Sequence, residues 1–280
     1  MGTLYVVATP IGNLGDLSVR AADVLGRVPL VAAEDTRVTR KLLAHIGAHP
    51  RLLSYHAHSR GSRLDALLAE LESGDMALVT DAGTPGLSDP GAELVQAAAD
   101  AGHNVVSVPG PSAISTALSV SGLPADRFLF LGFLPKTRKA RVAMLQDARQ
   151  EPGTLVCFET PHRINAALED IAATLGGRQL AVCRELTKLH EEIFRGTAEE
   201  ASQHFQQPRG EFVIVIQGAP EQATGPGDAD IAQAISDLEQ SGLTGRNLVD
   251  EVTAKTGAAR SRVYRMVLES SRPGTNGSEG

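Results

Sequence analysis

Ala77-Leu78-Val79-Thr80-Asp81-Ala82-Gly83-Thr84-Pro85-Gly86-Leu87-Ser88-Asp89-Pro90-Gly91 opens as a short apolar strand and continues as a loop holding three glycines and two prolines. An Ala/Leu-rich stretch over 91–101 then repeats at helical spacing. Strand, loop and helix in that order make one unit of a parallel sheet with crossover helices. Twelve loop residues are long for such a connection. Glycine allows close backbone approach and sharp turns, so the loop reads as a binding loop.

Outward from it the same alternation holds on both sides. Strand patterns fall at 4–8, 30–33, 52–55, 77–80 and 104–108, and helical patterns at 18–28, 36–46, 62–73, 91–101 and 112–121. An N-terminal α/β domain over 1–122 is expected. After Gly122-Leu123-Pro124 strand-like runs at 128–132, 154–158, 179–184, 191–195 and 212–217 are separated by only three helical stretches. More strands than crossovers require antiparallel pairs, so 123–219 reads as a second α+β domain. The Gly/Pro-containing 218–228 reads as a linker, 231–240, 245–255 and 258–270 as short helices in a small domain over 228–272, and 273–280 as a disordered tail.

Composition narrows the class. Of 280 residues 42% are hydrophobic but only 4% aromatic, with no Trp, so the core is built from Ala, Val, Leu and Ile. A net charge of −7 argues against bulk coating of nucleic acid and leaves room only for local basic patches. Cys157 and Cys183 sit in apolar runs and read as buried strand thiols. No apolar run is long enough for a membrane span and Met1 leads straight into a strand pattern, so a cytoplasmic protein is expected.

In a parallel sheet the loops after strand C-termini carry ligands, here 9–16, 80–91 and 109–112. Ser112 after Pro109-Gly110-Pro111 is placed to cap a helix, and the amides beside it are placed to hold an anion. The first loop lacks G-x-G-x-x-G and has Pro10 inside its turn, which disfavours a dinucleotide fold. Glu34 and Asp35 stand at a strand end and a helix start, suited to capping and to a site alike. His56 and His58 share a face of an extended segment without a third ligand at zinc spacing, so no metal site is expected.

Ten segments in order then carry a resemblance. They include Ala8-Thr9-Pro10-Ile11-Gly12-Asn13-Leu14-Gly15-Asp16, Ala33-Glu34-Asp35-Thr36-Arg37, Ser54-Tyr55-His56, Val79 to Pro85, Pro109 to Ala113 and Ser119 to Pro124. Further along stand Gly132-Phe133-Leu134-Pro135, Pro161-His162-Arg163, Arg184-Glu185-Leu186-Thr187-Lys188 with His190-Glu191-Glu192, and Gly210-Glu211-Phe212-Val213. In this order the chain resembles the tetrapyrrole-methylase superfamily, in the branch that methylates cytidine ribose in small-subunit (16S) rRNA. The first loop departs from the Gly-Pro-Gly-Asp-like form of porphyrinoid enzymes, which favours that branch.

The resemblance implies two α/β domains with S-adenosyl-L-methionine in the cleft between them, a homodimer, and 2′-O-methylation of a decoding-region cytidine in 16S rRNA or the assembled small subunit. It implies cofactor contacts at Pro10, Asp81, Gly83, Thr84, Pro85, Ser112, Ala113, Phe133, Phe158, Glu159 and Thr160. A ribose hydroxyl is a weak acid, so Glu34, Asp35, Glu185, Lys188 and Glu191 are candidates for proton removal, each readable also as a cap or surface charge. Arg37, the run Lys136, Arg138, Lys139, Arg141, and Arg260, Arg262, Arg265 in the C-terminal helices are candidates for RNA contact. In those helices Lys255, Arg260, Arg262, Arg265 and Arg272 face only Glu269 in charge, despite the acidic residues earlier in that domain, which suggests an RNA-docking module. A small-molecule methyltransferase and a non-catalytic RNA-binding assembly factor remain open as alternatives.

Overall fold

The computed structural model describes residues 1–56, 61–220, 227–258 and 260–270; His58, Arg272, most of the expected linker and the expected disordered tail lie outside them. Strands β1 (Thr3–Val7), β2 (Leu30–Ala33), β3 (Arg51–Ser54), β4 (Met76–Val79) and β5 (Asn104–Val108) alternate with helices α1 (Val19–Arg27), α2 (Thr36–His45), α3 (Ser62–Ser73), α4 (Ala92–Asp100) and α5 (Ala113–Ser121). They form a sheet in the order β3-β2-β4-β1-β5, parallel throughout. Residues of β4 show why its run is continuously apolar. Ala77 and Val79 pack with Val24, Leu25 and Val31 on one face, while Met76 and Leu78 pack with Leu4, Leu67 and Leu94 on the other.

Strands β6 (Phe128–Phe133), β7 (Thr154–Glu159), β8 (Leu180–Arg184), β9 (Glu192–Gly196) and β10 (Phe212–Ile216), with helices α6 (Arg138–Asp147), α7 (Ile164–Leu175) and α8 (Ala198–His204), build a second sheet. Its order is β6-β7-β10-β8-β9. Only β6 and β7 run parallel; the other pairs are antiparallel, as the shortage of crossovers required. Helices α6 to α8 cover one face through Leu145, Ile164, Leu168 and Ala201. Ile114, Ala117 and Leu118 of α5 pack on the other against Val156, Ala181 and Val215. A helix of the first sheet thus seals the second, and Met1–Ala219 is one compact unit. Cys157 and Cys183 are buried in strands β7 and β8, and burial pushes the Cys157 thiol upward.

One basic side chain lies elsewhere than the run 136–141 suggested. Arg141 of α6 is buried and closes on Asp170 of α7, Nη2 to Oδ2 2.6 Å, and donates to the Pro135 carbonyl. It is an internal tie, not a phosphate contact. Burial would raise the Asp170 carboxyl, but hydrogen bonds from Arg138 and Arg141 outweigh it and hold it below the ordinary value. Lys136, Arg138 and Lys139 are exposed.

Pro220–Gly280 is a separate unit. Helices α9 (Asp228–Gln240), α10 (Gly245–Thr256) and α11 (Arg260–Ser270) share a core of Ile231, Ile235, Leu248, Val252 and Val263. Its late cations do have acidic partners, supplied from the earlier helices. Arg260 pairs with Asp250, Arg262 with Asp228 at 2.6 Å, and Lys255 with Asp237 at 3.9 Å. Arg265 is exposed. Among the described residues no helix is long and apolar enough to cross a membrane.

Candidate active site

Because β1 lies between β4 and β5, the loops that leave these three strands emerge side by side. They are stitched together. Thr9 N donates to Gly83 O at 2.8 Å, Gly83 N donates back to Thr9 O at 3.0 Å, and the Thr9 hydroxyl donates to Thr80 O at 3.1 Å. The Thr84 hydroxyl reaches the Pro111 carbonyl at 3.4 Å. Gly83 has φ 78°, a conformation that suits glycine, and so can hold this bridge. Since β2 pairs with β4, the loop after β2 joins too: Asp81 N donates to Glu34 Oε2 at 3.3 Å and Asp35 N to Asp81 Oδ1 at 3.0 Å.

Between these loops and the second sheet lies a cavity of about 340 Å³, within the usual size of small-molecule sites. One wall is apolar, with Ile11, Ile114, Leu186 and Val213 beside Phe133 and Phe158, whose rings meet edge to face at 5.4 Å. A bulge in β6 with Gly132 at φ 68° turns Phe133 outward, leaving it 52% exposed. A Cβ on Gly132 would stand 3.4 Å from Ser88 Oγ, so the two sheets' loops come together there.

The polar groups of the cavity are uneven. Glu159, at the end of β7, is buried; its Oε1 accepts from Thr160 N at 2.7 Å and pairs with Arg163 at 2.6 Å, while its Oε2 is buried without a partner among the described residues. A buried carboxylate oxygen left unpaired is costly unless a ligand donor completes it. Glu34, Asp81 and Asp89 line the same cavity. All three carboxyls are raised, burial first in each case. Asp89 is pushed to about 6 by burial and then by Glu34, against a hydrogen bond from Thr80, with Asp81 adding to the rise.

Of the residues singled out for cofactor contact, Asp81, Gly83, Thr84, Ser112, Ala113, Phe133, Phe158, Glu159 and Thr160 line the cavity. Pro10 and Pro85 are buried beside lining residues and do not face it. Among the candidates for proton removal only Glu34 lines it. Asp35 caps α2 through Arg37 N at 2.8 Å and grips the Arg37 side chain, which holds its carboxyl down at about 2. Glu185, Lys188 and Glu191 form a clasp outside the cavity. Lys188 Nζ sits 2.8 Å from both Glu185 and Glu211, its stem covers Gly12, and Glu191 accepts from Thr187 N.

Sequence reasoning passed over Asp89, Leu87 and Ser88 within a loop it had chosen, where an acid in a binding loop was the available signal. Ile11, Ile114, Cys183, Leu186 and Glu211 to Val213 also line the cavity. The β8 and β10 residues among them follow strand patterns like any other. Among the described residues no group of three or more His, Cys, Asp or Glu is arranged to hold a metal ion.

Comparison with known proteins agrees with this architecture. A family profile for tetrapyrrole (corrin/porphyrin) methylases matches residues 3–202. A relative from Synechocystis sp. called ribosomal RNA small subunit methyltransferase I is 45% identical over 274 residues, spanning 96% of this chain and 98% of its own. The protein of that name in Escherichia coli O157:H7 is 42% identical over 96% of this chain and 95% of its own. The chain belongs to the tetrapyrrole methylase family, on the branch of the ribosomal RNA small subunit methyltransferases I. Solved structures of the family share its fold at lower identity. A cobalt precorrin-4 methyltransferase superposes with a TM-score of 0.60 at 18% identity, covering 77% of this chain and 94% of its own. Uroporphyrin-III C-methyltransferase from Thermus thermophilus, complexed with S-adenosylhomocysteine, gives 0.54 at 20% identity over 78% and 97%. The profile match ends within α8, before β10 and the C-terminal helices, whereas the Synechocystis relative spans 96% of the chain.

Proposed function

We propose that this chain transfers a methyl group from S-adenosylmethionine to the 2′-oxygen of a cytidine ribose in the decoding region of small-subunit rRNA. The reading is carried by likeness at 45% identity across 96% of the chain to a small-subunit rRNA methyltransferase. A cleft with an aromatic wall, an acidic end and an unpaired buried acceptor supports it.

S-adenosylmethionine, when bound, supplies a methyl group already activated on a sulfonium, so the protein's work is alignment and proton removal. Phe133 and Phe158 offer apolar faces to a purine, and the free oxygen of Glu159 accepts from an amine. Gly83 lets loop backbone lie close where a side chain would intrude. Glu34, Asp81 and Asp89 make the cleft favourable to a cation and unfavourable to phosphate. The RNA backbone is therefore held outside it, by the exposed Lys136, Arg138, Lys139 and Arg37.

In this scheme segments 1–122 and 123–219 form the cleft and 228–272 docks RNA. The active form is a cytoplasmic homodimer. The edge strand β6 leaves Phe128 and Leu129 partly exposed, apolar area that association would cover. The test uses purified protein, labelled cofactor, and small subunits or naked rRNA. Label is expected on the ribose of one cytidine, whose 3′ linkage then resists alkali because its 2′-hydroxyl no longer attacks. A methyl recovered on a base or on a tetrapyrrole overturns the reading, and RNA binding without transfer marks a binding factor.

A further inference from the structure

The loop after β4 is shaped around Asp89. Ser88 holds φ 65°, between Gly86 at 86° and Gly91 at 149°, and a left-handed non-glycine residue persists only where its surroundings enforce it. They do so here. A Cβ on Gly91 would stand 3.1 Å from Gly86 N and 3.2 Å from a Leu78 methyl, so the segment packs closely on itself and on β4. The turn puts Asp89 on the wall of the cleft.

Its neighbours differ from it in what they already do. Glu34 accepts the Asp81 amide and Asp81 accepts the Asp35 amide, so both brace loop to loop. Burial and the charges of Glu34 and Asp81 raise the Asp89 carboxyl, while the Thr80 hydroxyl, which donates to Ala82 O at 3.4 Å, lowers it. Around it the charged groups are Glu34 and Asp81 in the cleft, Asp35 and Arg37 paired at its edge, and His56 acting on Glu34.

We propose that Asp89 is the general base, taking the proton of the acceptor ribose hydroxyl as that oxygen attacks the methyl carbon. This rests on the methyl transfer proposed above. The O–C bond forms as the C–S bond breaks, its electron pair returns to sulfur to leave a neutral thioether, and the proton passes from the Asp89 carboxyl to water. A carboxyl raised to about 6 is ionised at neutral pH yet a stronger base than an ordinary aspartate.

Single-turnover methylation of rRNA by the full-length protein, followed against pH at saturating cofactor, tests this. The rate is expected to rise with pH about a midpoint near 6 and then level. Asp89→Asn should lower the plateau by about 10²-fold or more and abolish the acid limb. Cofactor binding by calorimetry should persist, weakened by at most about tenfold for the loss of one of the cleft's acids, which also shows the variant is folded. Glu34→Gln, by removing the like charge with the larger effect on Asp89, should move the midpoint to lower pH. An Asp89→Asn variant that keeps the parent's plateau, or that loses cofactor binding, overturns the assignment. Ribose methylation intact in that variant sinks Asp89 alone. A methyl found on another acceptor sinks the function instead, and the same profile then reads Asp89 on that acceptor.

Discussion

Asp89 is held in surroundings that favour its neutral form, so the group that serves the reaction weakens the fold when it ionises. Its folded value of about 6 stands above the ~4 of an unfolded aspartate. Its stabilising contribution is therefore complete below about pH 4 and is lost as pH rises through about 6. Asp89→Asn cannot ionise and should melt higher than the parent at about pH 7.5, by about 2–4 °C, with the gap closing near pH 4 in scanning calorimetry. A variant that melts lower at both pH values would mean the carboxylate is not disfavoured. Gly83 gives a second prediction. At φ 78°, with Ile11 Cγ2 only 3.7 Å from where a Cβ would sit, Gly83→Leu strains the loop and intrudes on the cleft. Cofactor affinity should fall by about tenfold or more in titration calorimetry, and unchanged affinity in a folded variant would move the site elsewhere. Gly83 was legible from the turn chemistry of its loop. Asp89 was not, because its character depends on Glu34, which local pattern does not bring near.

At the scale of elements, the tie between α6 and α7 decides what the basic run 136–141 can do. Arg141 is 6% exposed at its side chain and Asp170 is 3%, so removing Arg141 leaves a buried carboxylate with one exposed partner, Arg138. Arg141→Ala should cost about 3 kcal/mol or more in urea unfolding, whereas Arg138→Ala, at 78% exposure, should cost about 1 or less. Equal losses would show that the internal tie is not what holds the helices. Lys136→Glu with Lys139→Glu should instead leave stability unchanged and lower both RNA affinity and its salt slope. Strand and helix patterns located β2, α3 and β5 to the residue, because burial on one or two faces leaves a period in the chain. A run of cations carries no such period for its partners. Arg141 and Asp170 lie 29 residues apart on separate helices, and only their packing turns one cation of four inward.

For the whole molecule, the unit from Pro220 has its own core, so removing it should leave the cleft intact. A chain ending at Ala219 is expected to bind cofactor with the parent's affinity and to methylate rRNA poorly, by filter assay at low enzyme concentration. Full activity in the shortened chain would leave the C-terminal helices without a docking role. Arg265→Glu is the sharper probe there, since Arg260 and Arg262 already hold Asp250 and Asp228. From sequence alone came the parallel sheet, the mixed sheet after it, the Gly/Pro loops at strand ends and the family, since each is written in short-range periodicity or in ordered local motifs. Tertiary structure alone decided which further side chains join those that the family motifs had already named for the cleft. It put Glu34 beside Asp81 and Asp89, turned Asp35 out to Arg37, took Glu185, Lys188 and Glu191 into a clasp, and brought Val213 of β10 to the wall. A site of this kind is assembled by strand order across residues far apart in the chain, and strand order is a property of the packed sheets.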